Sequence, residues 1–65
     1  MITVNGEAQE TQPGETLLAL LEKRGYRLGV IAVEYNGQVL SKDAYGTILL
    51  KDGDKLEVVS FVGGG

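Results

Sequence analysis

Apolar residues recur at every second position near both ends of the chain, and once between them at helical spacing. Ile2 and Val4 alternate with Met1, Thr3 and Asn5, the period-2 pattern of a strand with one buried face. Asn5-Gly6 follows at once, and because both residues tolerate positive φ the pair predicts a type I′ hairpin. The returning strand, Glu7 to Thr11, is polar apart from Ala8 and belongs near a sheet edge, where its charges discourage edge-to-edge association. Gln12-Pro13-Gly14-Glu15 is a turn by composition, and Thr16 then suits an N-cap. Leu17, Leu20 and Leu21 fall at i, i+3 and i+4, Leu18 widens the stripe, and Glu22, Lys23 and Arg24 supply a polar face. A helix is expected over Leu17 to Arg24, with cations near its C-terminal end and Gly25 as the residue that stops it.

Tyr26 to Gly29 reads as a connection. Ile31, Val33 and Tyr35 alternate with Ala32, Glu34 and Asn36, a third strand closed by a second Asn-Gly pair, Asn36-Gly37, with Gln38-Val39-Leu40 as a short fourth strand. Ser41 to Gly46 is an irregular crossing with room for a single helical turn. Thr47 to Leu50 suits either a short strand or a buried loop, Lys51-Asp52-Gly53-Asp54 is a turn, and Lys55 to Phe61 is the last strand. One amphipathic helix must cover one face of the sheet, since no second layer is available. A strand pair, a helix crossing over it and later strands returning beside the first make an α+β, β-grasp (ubiquitin-like) arrangement, a mixed sheet of four to five strands with one main helix on one face. The first and last strands are expected to pair in parallel at its centre. Strand parity then turns Leu56 and Val58 toward the helix and leaves Val59 and Phe61 on the uncovered face. The domain is expected over residues 1–61, with residues 62–65 as a flexible Gly-rich tail.

Sixty-five residues allow one domain, and an apolar fraction of 43% is that of a folded soluble chain. The formal charge of −3 argues against nucleic acid, which needs clustered Lys and Arg, and favours a partner with a basic docking surface. No apolar run is long enough to span a membrane and no signal peptide opens the chain, so a cytoplasmic location is the default. The absence of His and Cys removes the usual general base, the thiol nucleophile and most transition-metal sites. Ser41 and Ser60 lack an activating base, and Asp52 and Asp54 offer too few oxygens for calcium and read as turn chemistry. No catalytic residue, no metal site and no bound cofactor is expected. Tyr35 is expected in the core, and Tyr26 and Tyr45 at the surface or rim.

What remains is Val62-Gly63-Gly64-Gly65. Three glycines contribute nothing to a core and lose the most freedom on ordering, yet they pass through a narrow channel where any Cβ would block, and they end in a carboxylate. The alternative is a frayed end or an expression scar. Phe61 and Val59, exposed just before this stretch, form either an interaction patch or an edge folded over the core.

Four segments together resemble the ThiS family of ubiquitin-like sulfur carriers of thiamin biosynthesis. They are Val4-Asn5-Gly6-Glu7, Val33 to Val39 around Asn36-Gly37, the Lys51-Asp52-Gly53-Asp54 turn, and the ending Phe61-Val62-Gly63-Gly64-Gly65. The resemblance implies a protein co-substrate and not an enzyme. A ThiF-like adenylating enzyme would use ATP to activate the Gly65 carboxylate as an acyl-adenylate. Sulfur from a cysteine desulfurase or an equivalent donor would convert it to a thiocarboxylate, and a ThiG-like thiazole synthase would take that sulfur into the thiazole ring. Gly63 and Gly64 would thread the partners' active sites, and Val59, Phe61 and Val62 would form the patch the partners grip. One departure is Tyr45, where the family often carries Trp. Similar chains include the MoaD-like small subunit of molybdopterin synthase, carriers for tRNA thiolation and protein modifiers. From a different class, a plain interaction domain with an artefactual tail is the rival.

Overall fold

The computed structural model describes residues 1–61; the expectations placed on Val62, Gly63, Gly64 and Gly65 lie outside the described residues. The strands are β1 (Ile2–Val4), β2 (Glu7–Gln9), β3 (Ile31–Tyr35), β4 (Gln38–Leu40) and β5 (Lys55–Ser60), and the helix α1 is Leu17–Lys23. They form a sheet in the order β2-β1-β5-β3-β4. The β1–β5 pair is parallel, in the register Thr3↔Lys55 and Val4↔Leu56, and its neighbours pair antiparallel. This is the β-grasp arrangement expected from the element order, with the last strand in the middle and the polar β2 at an edge.

Both Asn-Gly pairs make the tight turns their composition predicts. Asn5 and Gly6 have φ of 51° and 83°, Asn36 and Gly37 of 50° and 89°, the left-handed values a type I′ turn requires.

The helix is held at both ends by partners that account for its orphan backbone groups. Thr16 Oγ1 accepts from Ala19 N at 3.1 Å, while Leu17 N and Leu18 N donate to the carbonyls of Ile48 and Tyr45, each at 2.9 Å. Thr47 to Leu50 is therefore a loop, whose Ile48 carbonyl caps the helix together with Tyr45 O from the crossing before it, and a bridge from Thr16 to Leu49 ties it to the Thr16 side. At the other end Gly25, at φ 82°, lets its own amide reach Glu22 O and the Tyr26 amide reach Leu21 O, both at 3.0 Å, a Schellman stop. A single turn of 3₁₀ helix at Leu28–Val30 leads into β3, and another at Lys42–Ala44 fills the crossing.

Leu17, Leu20 and Leu21 are fully buried against Ile2, Val4, Val33, Leu56 and Val58 from the inner face of the sheet. Tyr45 departs from its expected place at the surface: it is 2% exposed and part of the core. The reason is the cap, since pinning Tyr45 O on Leu18 N draws the residue inward onto the end of the leucine stripe. Tyr26 is half-buried at the rim, and Tyr35 is packed against the core at its edge with its hydroxyl bonded to Asp54. Among the described residues no helix is long and apolar enough to cross a membrane.

Candidate functional site

Strand parity on β5 holds: Leu56 and Val58 are buried, and Val59 and Phe61 lie on the face the helix leaves bare, 59% and 70% exposed. The exposure of Phe61 does not come from a loose backbone. Its amide donates to Val30 O at 2.7 Å, carrying the β3–β5 pairing one residue past Ser60 and fixing where the side chain emerges.

The register shows what surrounds these two residues. Ala32 on β3 stands opposite Val59, and Glu34 stands between Glu57 on β5 and Val39 on β4. Val39 is 72% exposed, and Ala32 is half-buried. The bare face thus presents Val39, Ala32, Val59 and Phe61, with Glu34 and Glu57 side by side within it. Sequence reading named Val59 and Phe61 and missed Val39, Ala32 and the two glutamates. Their alternation was visible, but which strands lie next to β5 is a matter of topology. Exposed apolar residues collected on one face of so small a domain make that face the candidate binding surface, where single exposed side chains would need no explanation. Val62, Gly63, Gly64 and Gly65 lie outside the described residues, so this face is the part of the expected site whose geometry is defined.

The other polar cluster is structural. Asp54, 3% exposed, accepts from Tyr35 Oη at 2.8 Å, Asn36 Nδ2 at 3.1 Å, Lys51 N at 2.9 Å and Lys51 Nζ at 3.1 Å. Burial opposes its charge, but these donors overcome that and hold the carboxyl down at about 2. A further hydrogen bond, from Lys51 Nζ to Tyr35 Oη at 3.0 Å, and then the one to Asp54 push the Lys51 ammonium up. The cluster welds the Lys51–Asp54 turn to the Asn36-Gly37 turn at the end of β5 remote from Phe61. Among the described residues no group of three or more His, Cys, Asp or Glu side chains is placed to hold a metal ion.

Comparison with known proteins agrees with this architecture. The family model of the ThiS family matches residues 2–65. The crystal structure of a thiamine biosynthesis protein (ThiS) from Geobacter metallireducens is 34% identical and superposes with a TM-score of 0.78, covering 98% of this chain and 97% of that one. A protein named thiazole synthase from Magnetococcus marinus is 42% identical over 64 residues, 98% of this chain. Another of that name from Paramagnetospirillum magneticum is 39% identical over the same length. The chain spans about 20% of the length of these two relatives. A match that runs from the first strand to the last residue, on a fold shared with a ThiS structure over nearly its whole length, is decisive: this chain belongs to the ThiS family.

Proposed function

We propose that the protein is a sulfur carrier of thiamin biosynthesis and works as a co-substrate whose reactive group is the carboxylate of Gly65. The observation that carries this reading is the ThiS family match over residues 2–65, which takes in Gly63, Gly64 and Gly65. A carboxylate is a poor acyl donor. Attack of its oxygen on the α-phosphorus of ATP, with pyrophosphate leaving, makes it an acyl-adenylate on a ThiF-like enzyme. The outer sulfur of a persulfide on a cysteine desulfurase, or on an equivalent donor, then attacks the same carbon and displaces AMP to give an acyl disulfide. A thiol attacks the donor-side sulfur, the S–S bond breaks, the donor is left as a disulfide with that thiol, and a thiocarboxylate is released. That group is anionic and polarisable at neutral pH, and it is suited to give its sulfur to a ThiG-like thiazole synthase. The two relatives named thiazole synthase, each with a segment similar to the whole of this chain, support a thiazole synthase as the acceptor.

In this scheme the folded body is recognised while the end of the chain reacts. Val59 and Phe61, with Val62 beyond the described residues, are the apolar anchors of recognition, and Gly63 and Gly64 allow passage into a channel. The test is an intact-mass measurement after incubation with ATP, the adenylating enzyme from the same genome and a sulfur source. Exchange of one oxygen for sulfur at Gly65 is expected, and an unchanged mass would remove the carrier reading.

A further inference from the structure

The bare face of the sheet carries a feature that stability alone does not explain. Glu34 and Glu57 are directly opposite each other on β3 and β5, and like charges in that relation are destabilising. Among the described residues neither carboxylate lies in an ion pair, and the cation nearest in the strand pattern is Lys55, two residues before Glu57 on the same face. Apolar side chains border the pair on the side toward Phe61, with Val39 beside Glu34, Val59 two residues beyond Glu57 on the same face, and Ala32 opposite Val59. A face meant only to be wet needs no valines around its acids, and a face meant only for apolar contact would not place two acids among them. Local rules are broken in this way where another molecule supplies the missing term.

We infer that this face receives a partner surface that inserts one basic side chain, Arg or Lys, between Glu34 and Glu57, with apolar groups seated around it on Val39, Val59 and Phe61. The inference rests on the reading of this face as the docking site of the carrier. Two carboxylates at neighbouring positions suit the planar fork of a guanidinium, which offers separate donors to each. Docking would remove a repulsion present in the free protein and desolvate the new ion pair beside these apolar groups, where charge complementarity governs which partner is accepted.

The test uses Glu34→Gln, Glu57→Gln and the double variant of the full chain, titrated into the adenylating enzyme and the thiazole synthase from the same genome at low and moderate salt. Thermal unfolding of the free variants is recorded alongside. The expected result has opposite signs: the glutamine variants melt at a higher temperature, while at least one partner binds the double variant roughly tenfold more weakly and with a flatter salt dependence. A residue with a merely structural role would lower both. Wild-type affinity of the double variant for both proteins, or a lower melting temperature for any of the three, would overturn the inference. If Val59→Ser weakens binding while the double variant does not, the face docks without a cation and the carrier reading stands. If wild-type chain gains no sulfur with these enzymes, the carrier reading fails on its own assay, whatever the binding shows.

Discussion

The side-chain amide of Asn5 holds both backbone polar groups of Val58: Oδ1 accepts from Val58 N at 2.7 Å and Nδ2 donates to Val58 O at 3.2 Å. β1 ends at Val4, so β5 would otherwise lose its parallel neighbour at this point. The turn residue stands in for one further position of ladder, with two hydrogen bonds. Asn5→Gly keeps the positive φ and removes only the clamp, and should cost about 1–2 kcal/mol by the loss of two buried-edge hydrogen bonds. Asn5→Ala adds left-handed strain and should cost about 1 kcal/mol more. Urea unfolding of the two variants separates the contributions, and equal stability of Asn5→Gly and wild type would mean that the clamp contributes nothing.

Asp54 sets an acid limit. Its folded value near 2 lies below the 3.8 of the free side chain, so the unfolded chain binds the proton first. Its contribution, about 2 kcal/mol, is complete above pH 4 and is lost as pH falls from about 4 toward 2. Glu15, lowered by its hydrogen bond from Lys23, acts in the same direction. Asp54→Asn should therefore be less stable than wild type at neutral pH and nearly equal to it at pH 2. Denaturation midpoints measured across that range check this, and a constant difference between the two proteins would assign the effect to packing.

Tyr45 and Phe61 should behave as opposites under the same substitution. Tyr45→Ala empties a core position and is expected to cost about 3–5 kcal/mol, enough to unfold much of a domain this small. Phe61→Ala should leave the melting temperature almost where it was and weaken capture by the adenylating enzyme. Thermal scans with a pull-down read both, and a drop of many degrees for Phe61→Ala would place its ring against the core.

Deletion of Gly64 and Gly65 should abolish sulfur loading while folding is untouched. Mass spectrometry reads the loading and calorimetry the folding. A large loss of stability would show that the terminal glycines have a structural task.

The fold was open to reading because its signals are local. Asn-Gly pairs fix two hairpins, a Thr cap and a Gly stop frame the only leucine stripe, and period 2 marks the strands that face it. What escaped reading depends on contacts between distant parts of the chain. Tyr45 sits in a stretch with no periodicity, and its burial follows from Leu18 recruiting its carbonyl. The second role of Asn5 and Asn36 was hidden for the same reason: each reads as a turn residue, yet Asn5 reaches β5 across 53 positions and Asn36 Oδ1 accepts from Lys55 N across 19. Of the candidate site, parity along one strand disclosed Val59 and Phe61. The company they keep depends on strand order and could not be read from one strand.

Because β1 and β5 run the same way side by side, the two extremities of the described chain are at opposite rims of the molecule. Gly53 N donates to Met1 O at 2.9 Å, just before β5 begins, and Phe61 lies at the strand's far end, six residues beyond Lys55 and so about 20 Å away. A fluorophore, a surface tether or a whole second protein joined ahead of Met1 would project away from the Phe61 end of β5. This architecture tolerates cargo on one pole without crowding the other.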